Sequence, residues 1–243
     1  MPGVTRRIVR PARFGATHGL TGVTSPLSHI LRLRRRKGHG IHSPYLYHLL
    51  TDVLFNKHSY YCFDALMRHH PADKQAHRFG RLLFRLTMDV GANHSLYAGS
   101  KGTPDLAYLA TAGTKHRVDV LAYDEDGLAR THILAAGLHT DNLCIYPILR
   151  YESLQQQIPQ MKSLDLVVIN PHPDNAFLMA VMKACLERCH HGSVLVVNRP
   201  FDKDVAACWA FACQHPSVTA SLEAYRFGIL LFRPDLEKKT YHL

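Results

Sequence analysis

Several clusters of polar residues follow apolar runs closely enough to do chemistry. Asn170-Pro171-His172-Pro173 begins at the last residue of the run at 165–170. It would set a neutral amide and an imidazole just past a strand end. An imidazole there could serve as a general base near neutral pH. Gly99-Ser100-Lys101-Gly102 follows the run at 95–98. Its two glycines suit either a tight strand–helix turn or a backbone brought close to a bound cofactor. Asp124, Glu125 and Asp126 follow the run at 118–123, and Asp126 could simply cap the next helix. Cys185, Cys189, His190 and His191 are metal-ligand types, but no second pair has matching spacing, and they read as a packed helix end. Arg32, Arg34, Arg35, Arg36 and Lys37 form a basic run. It suits either a contact with a polyanion, such as nucleic-acid phosphates or an anionic membrane surface, or a solvated helix end.

Positioning such residues requires a scaffold, and the apolar periodicity supplies one. Strand-length runs recur at 95–98, 118–123, 142–146, 165–170 and 193–198, with helical patterns at 104–112, 126–137, 150–157 and 174–190 between them. This alternation predicts a parallel sheet covered by helices on both faces. A helix over 202–214 follows, holding Val205, Trp209 and Ala212. Next come two strands joined through Arg226-Phe227-Gly228, a link so short that the pair must be antiparallel. Ahead of the alternation the spacing is helical. Leu27, Ile30, Leu31 and Leu33 mark a short helix in 26–37, and Ser43-Pro44 starts a second helix as N-cap and first residue. Further helices are predicted at 60–69 and 76–89, the latter with Phe79, Leu82, Leu83 and Leu86 on one stripe.

Composition narrows the class. The chain has 243 residues, 47% hydrophobic and 20% charged, enough to bury the core of one globular domain. Its net charge of +10 is concentrated at the start, where residues 1–51 hold nine Lys or Arg and no acid, leaving the remainder nearly balanced. Residues 1–25 read as a mobile basic tail, 26–90 as a helical amino-terminal cap, and 91–243 as the α/β domain. An Arg-rich, acid-poor start also resembles an organellar transit peptide. Residues 1–20 lack the apolar stretch of a signal peptide, no run is long enough to span a bilayer, and the six cysteines form no CxxC pair. These features predict reduced thiols and a cytoplasmic chain.

Three segments carry a family resemblance. Gly38-His39-Gly40-Ile41-His42-Ser43-Pro44-Tyr45 resembles the H-G-[VI]-H-S-P-[FY] entry of a bacterial branch of O-methyltransferase-like proteins. His58-Ser59-Tyr60-Tyr61-Cys62-Phe63-Asp64 and Gly80-Arg81-Leu82-Leu83-Phe84-Arg85-Leu86 resemble the segments that follow it there, and Tyr225 to Arg233 is similar to the family's ending. The resemblance covers roughly residues 30–235. It implies the Rossmann-like fold of class I S-adenosylmethionine-dependent methyltransferases, with a mostly parallel seven-stranded sheet and a carboxyl-terminal antiparallel hairpin. The bacterial character of that branch weighs against a transit peptide.

In that family the first strand ends in an acid followed by a glycine-rich loop. The second ends in an acid that accepts both ribose hydroxyls. The resemblance therefore implies that Gly99, Ser100, Gly102 and Asp124 hold S-adenosylmethionine and that Asn170 and His172 face the methyl acceptor. This sequence departs from the pattern in several places. Tyr97 replaces the first acid, and Asn170, Asn198 and Arg199 stand where metal-dependent members carry aspartates, so no metal is expected. Amino-methyltransferases place [DN]-P-P-[YFW] at the fourth strand end. Asn170-Pro171-His172-Pro173 matches only its first half. Three functions remain open: a metal-independent methyltransferase with a partly degraded site, a catalytically inactive methyltransferase-like binding or regulatory protein, or a basic adaptor docking on nucleic acid or anionic lipid through residues 6–37.

Overall fold

The computed structural model describes residues 38–99, 104–113, 115–138, 141–148, 151–158, 161 and 163–243. The tail predicted over 1–25, the helix predicted over 26–37 with Arg32, Arg34, Arg35, Arg36 and Lys37, and residues Ser100, Lys101, Gly102 and Thr103 lie outside them.

Helix α1 (Pro44–His48) starts as its sequence predicts. Pro44 opens it and the Ser43 hydroxyl accepts the Leu46 N–H at 3.3 Å. The helix then widens into a π-helical segment, Leu49–Leu54. Buried Arg85 reaches the carboxyl end of this segment from outside, donating to the carbonyls of Val53 (2.6 Å) and Leu54 (3.3 Å), which a helix end leaves without helical partners. Helix α2 (Phe63–His69) precedes α3 (Lys74–Val90), which Asp73 caps through the N–H groups of Gln75 and Ala76 and which Gly91 ends in the left-handed conformation.

Five strand–helix units follow: β1 (His94–Gly99), α4 (Pro104–Thr111), β2 (Arg117–Ala122), α5 (Glu125–Leu138), β3 (Leu143–Pro147), α6 (Tyr151–Gln157), β4 (Leu164–Ile169), α7 (Asn175–Leu186), β5 (Cys189–Asn198) and α8 (Ala206–Gln214). The chain closes with β6 (Ala220–Glu223), β7 (Phe227–Leu231) and β8 (Lys239–His242). The sheet runs β3-β2-β1-β4-β5-β7-β6-β8, with β7 antiparallel to both neighbours. The expected seven strands are therefore eight. Lys239-Thr240-Tyr241-His242 pairs parallel to β6 at the sheet edge. It has no apolar run because an edge strand can stay polar and charged, which also discourages pairing with other chains.

Alternating strand residues feed two cores. Tyr97, Val120, Val168 and Val196 face α1–α4, whereas Leu96, Ala98, Val167, Leu195 and Val197 face α6–α8. The alternation slips once, at Leu164–Leu166, where the β4–β5 register shifts. The amino-terminal helices thus share one core with the sheet. A further correction concerns Cys185 and Cys189. Helix α7 ends at Leu186 and Cys189 opens β5, so the two thiols do not share a helix face.

Helices α3 and α4 touch at Gly80, where an added Cβ would collide with the Tyr108 ring and come within 3.1 Å of Asp105 Cα. Alanine is better than glycine inside a helix by about 1 kcal/mol, but overpacking costs about 1–3 kcal/mol. Gly80→Ala should therefore lower the free energy of urea unfolding. A neutral or stabilised variant would show that Tyr108 moves aside freely.

Candidate functional site

Strand order reverses between β1 and β4, and in open α/β sheets such a reversal leaves a crevice at the carboxyl ends of the strands. Ala98 and Gly99 reach that edge from one side and Asn170 from the other. The Ala98 carbonyl accepts the Asn170 backbone N–H at 2.9 Å and its side-chain Nδ2 at 3.3 Å. Asn170 Oδ1 in turn accepts Asn198 Nδ2 at 2.9 Å. One amide thereby ties together the ends of β1, β4 and β5. Gly99 lies against this clasp. A Cβ there would sit 3.0 Å from Asn170 Nδ2 and 3.2 Å from the Tyr97 ring, so any side chain would push these neighbours back by a few tenths of an ångström.

Tyr97, which stands where the resemblance expects an acid, is 1% exposed. Its hydroxyl donates to Asp105 Oδ2 at 2.9 Å. Asp105, 3% exposed, opens α4. A carboxylate thus reaches the Tyr97 side chain, but it comes from the helix and is buried with it. Asp105 is not among the site residues that the sequence suggests. The available signal was Pro104-Asp105, a proline at the first helical position followed by an acid in the first turn.

Asp124 is exposed at the end of β2 and accepts the Gly127 N–H through Oδ1 at 2.6 Å. The helix cap expected of Asp126 therefore falls to Asp124, while Asp126 pairs with Arg130 one turn on. Just before it, buried Tyr123 stands edge-on to His172 (ring centroids 5.1 Å apart) and to Phe177 (5.2 Å). His172 and Phe177 themselves lie 4.6 Å apart. His172 Nδ1 accepts the Asp174 N–H at 3.0 Å. Nδ1 also lies 3.3 Å from the Asp174 carbonyl; the shorter N–H contact engages its lone pair and favours the neutral tautomer with the proton on Nε2, which presents a donor there. Tyr123 and Phe177 were not singled out in the sequence, because both read as ordinary core aromatics.

Other reactive types are quiet. Burial pushes the Cys185 thiol well above its ordinary value and the Cys189 and Cys208 thiols up to about 12, so these cysteines stay protonated. Arg199, the one non-glycine residue with positive φ among those described (53°), pairs with Asp202 at 2.7 Å. Among the described residues no group of three or more His, Cys, Asp or Glu is placed to hold a metal ion, and no helix is long and apolar enough to cross a membrane.

No protein-family model matches the chain, and neither does any curated protein. Solved structures do match. The chain is similar to an O-methyltransferase from Bacillus cereus in complex with SAH (18% identity, 74% of this chain and 93% of that one, TM-score 0.56). It is also similar to the O-methyltransferase TomG from Streptomyces achromogenes in complex with SAM (14%, 72% and 91%, 0.56). A third match is a cofactor-bound protein from MTB, Rv0187 (18%, 87% and 99%, 0.53). At these identities the likeness establishes the fold: a Rossmann-like methyltransferase architecture with a mostly parallel sheet and antiparallel carboxyl-terminal strands.

Proposed function

We propose that the chain is a metal-independent, O-methyltransferase-like enzyme that uses S-adenosylmethionine, which supplies an electrophilic methyl group on a sulfonium. The observation that carries this reading is Gly99 packed against Asn170 at the β1–β4 reversal, with the Asp124 carboxylate at the neighbouring strand end. Support comes from the B. cereus enzyme and TomG, which share the fold and were crystallised with SAH and SAM. The backbone at Gly99, Ser100 and Gly102 would approach the cofactor, and Asp124 would accept its ribose hydroxyls with the oxygen that the helix cap leaves over. Asn170 and His172 would face the acceptor. His172 would orient an acceptor oxygen through Nε2–H, because its other nitrogen is engaged. The basic run Arg32, Arg34, Arg35, Arg36 and Lys37 would add a weak, salt-sensitive polyanion contact.

A second reading, a binding protein without turnover, draws on the inward-turned polar groups at the strand ends. Asn198 donates to Asn170, Asn170 donates to the Ala98 carbonyl, and Tyr97 is engaged by Asp105.

Calorimetry with S-adenosylhomocysteine is the test. Asp124→Ala should weaken binding by about 1–3 kcal/mol. Asp124→Asn should do nearly the same, although asparagine keeps the cap at Gly127. Unchanged affinity in Asp124→Asn would reduce Asp124 to a helix cap. No heat from the wild-type chain at millimolar ligand would remove the enzyme reading. Binding without transfer to any acceptor would favour the second reading.

A further inference from the structure

At the opposite edge of the sheet, among the amino ends of β1, β2 and β4, lies a cavity of about 510 Å³. That is within the range of small-molecule sites. Strand β1, six residues long, sets the His94 wall of this cavity roughly 15–20 Å from Gly99, while Tyr146 of β3, level with Leu121 of β2, reaches in with its hydroxyl to Arg117. We propose that it binds a small ligand through an anionic oxygen group, a phosphate or a carboxylate, seated on Arg117 and Tyr146.

The hydrogen bonds on the cavity wall decide the sign of the ligand. Its two carboxylates are already engaged. Asp119, whose side chain is 1% exposed, accepts from His94 Nε2 at 2.7 Å and from Arg117 Nε at 2.8 Å. Asp165 accepts the backbone N–H groups of Asn93 (2.8 Å) and His94 (2.9 Å) on one oxygen and His190 Nε2 (3.0 Å) on the other. A cation entering here would find all four carboxylate oxygens already engaged by protein donors.

Donors remain available. Arg117 uses Nε on Asp119 and Nη2 on the Tyr146 hydroxyl at 2.8 Å, which leaves Nη1 to present N–H groups. Tyr146 accepts from Arg117, so its own proton must point to another acceptor. Burial raises its pKa, which keeps the phenol a donor at neutral pH. Arg117 is half exposed and so reachable, while Asp119, fixed from below, holds its guanidinium in place. Two donors set side by side suit the oxygens of a carboxylate or phosphate. The side-chain amides of Asn93 and Gln157 on the same wall can bind the rest of a polar molecule.

The test is an amide-resolved NMR titration of the full chain at constant ionic strength, with inorganic phosphate in one arm and succinate in the other. Saturable shifts at Asn93, His94 and Arg117 in either arm are expected, and the tighter arm identifies the anion. Arg117→Gln should weaken that binding by about tenfold or more, and Tyr146→Phe, which removes only the hydroxyl, by several-fold. S-adenosylhomocysteine binding should be the same in both variants, which separates this site from the one at the carboxyl edge. Non-saturating shifts scattered over the surface in both arms, or equal affinity in Arg117→Gln, would overturn the proposal.

Discussion

Asp119→Ala should cost about 3 kcal/mol of folding stability at pH 7, measured by urea unfolding. The side chain is almost fully enclosed, yet it links the amino ends of β1 and β2 by receiving His94 and Arg117. Burial alone would push its carboxyl up. The hydrogen bonds from His94 and Arg117 outweigh burial and hold it below the usual carboxylate range. Removing the carboxylate deletes two hydrogen bonds with charged character. The loss is limited because Arg117 is half exposed and can return to water. The pH dependence has a definite sign. A carboxyl with a depressed folded pKa contributes above its unfolded value and loses that contribution as pH falls through the folded one. Wild type and variant should therefore converge in acid. A loss below about 1 kcal/mol at pH 7 would mean that the cluster behaves like a surface ion pair.

Wild-type stability should also fall between pH 6.5 and pH 4, with His116 the main single cause. This ring is 2% exposed and meets the Ser95 hydroxyl through Nε2 at 2.6 Å. Burial lowers its pKa to about 4. The unfolded chain takes up the proton near 6.5, the folded chain not until about 4, so acid favours unfolding across that window and the effect levels off below it. The size is about 3 kcal/mol when the window is crossed fully. Burial likewise lowers the pKa of His70 and His77, which adds loss of the same sign. His116→Gln isolates the effect. The variant starts less stable at neutral pH because it loses packing, but its stability should change less on acidification. Parallel pH profiles for the two proteins would refute the assignment.

Much of the scaffold could be read from the chain itself, because it rests on local physics. Ser43-Pro44 marked a helix start that the hydroxyl does cap. The short Arg226-Phe227-Gly228 connection required an antiparallel pair, and β6–β7 is one. The candidate site was less legible. Asp124 and Asp126 differ by two positions, and only the path of the chain between β2 and α5 makes the first one the cap. His172 reads as a base until the Asp174 N–H is seen on Nδ1. Gly99 reads as turn punctuation until Asn170 is seen against it.

Periodicity, caps and turn chemistry in the sequence therefore determined the order and type of the elements from β1 to β7, and with them the methyltransferase-like architecture. Each of those signals comes from residues within a few positions of one another. Tertiary structure alone decided three things: the eighth strand, the pairing of Tyr97 with Asp105, and the polar cavity around Asp119. The first depends on which edge of the sheet remains unpaired. The other two depend on contacts between separate elements, Asp105 coming from a helix and the His94 and Arg117 donors from the amino ends of adjacent strands. Spacing along one chain does not encode such meetings, because sheet order and register set them.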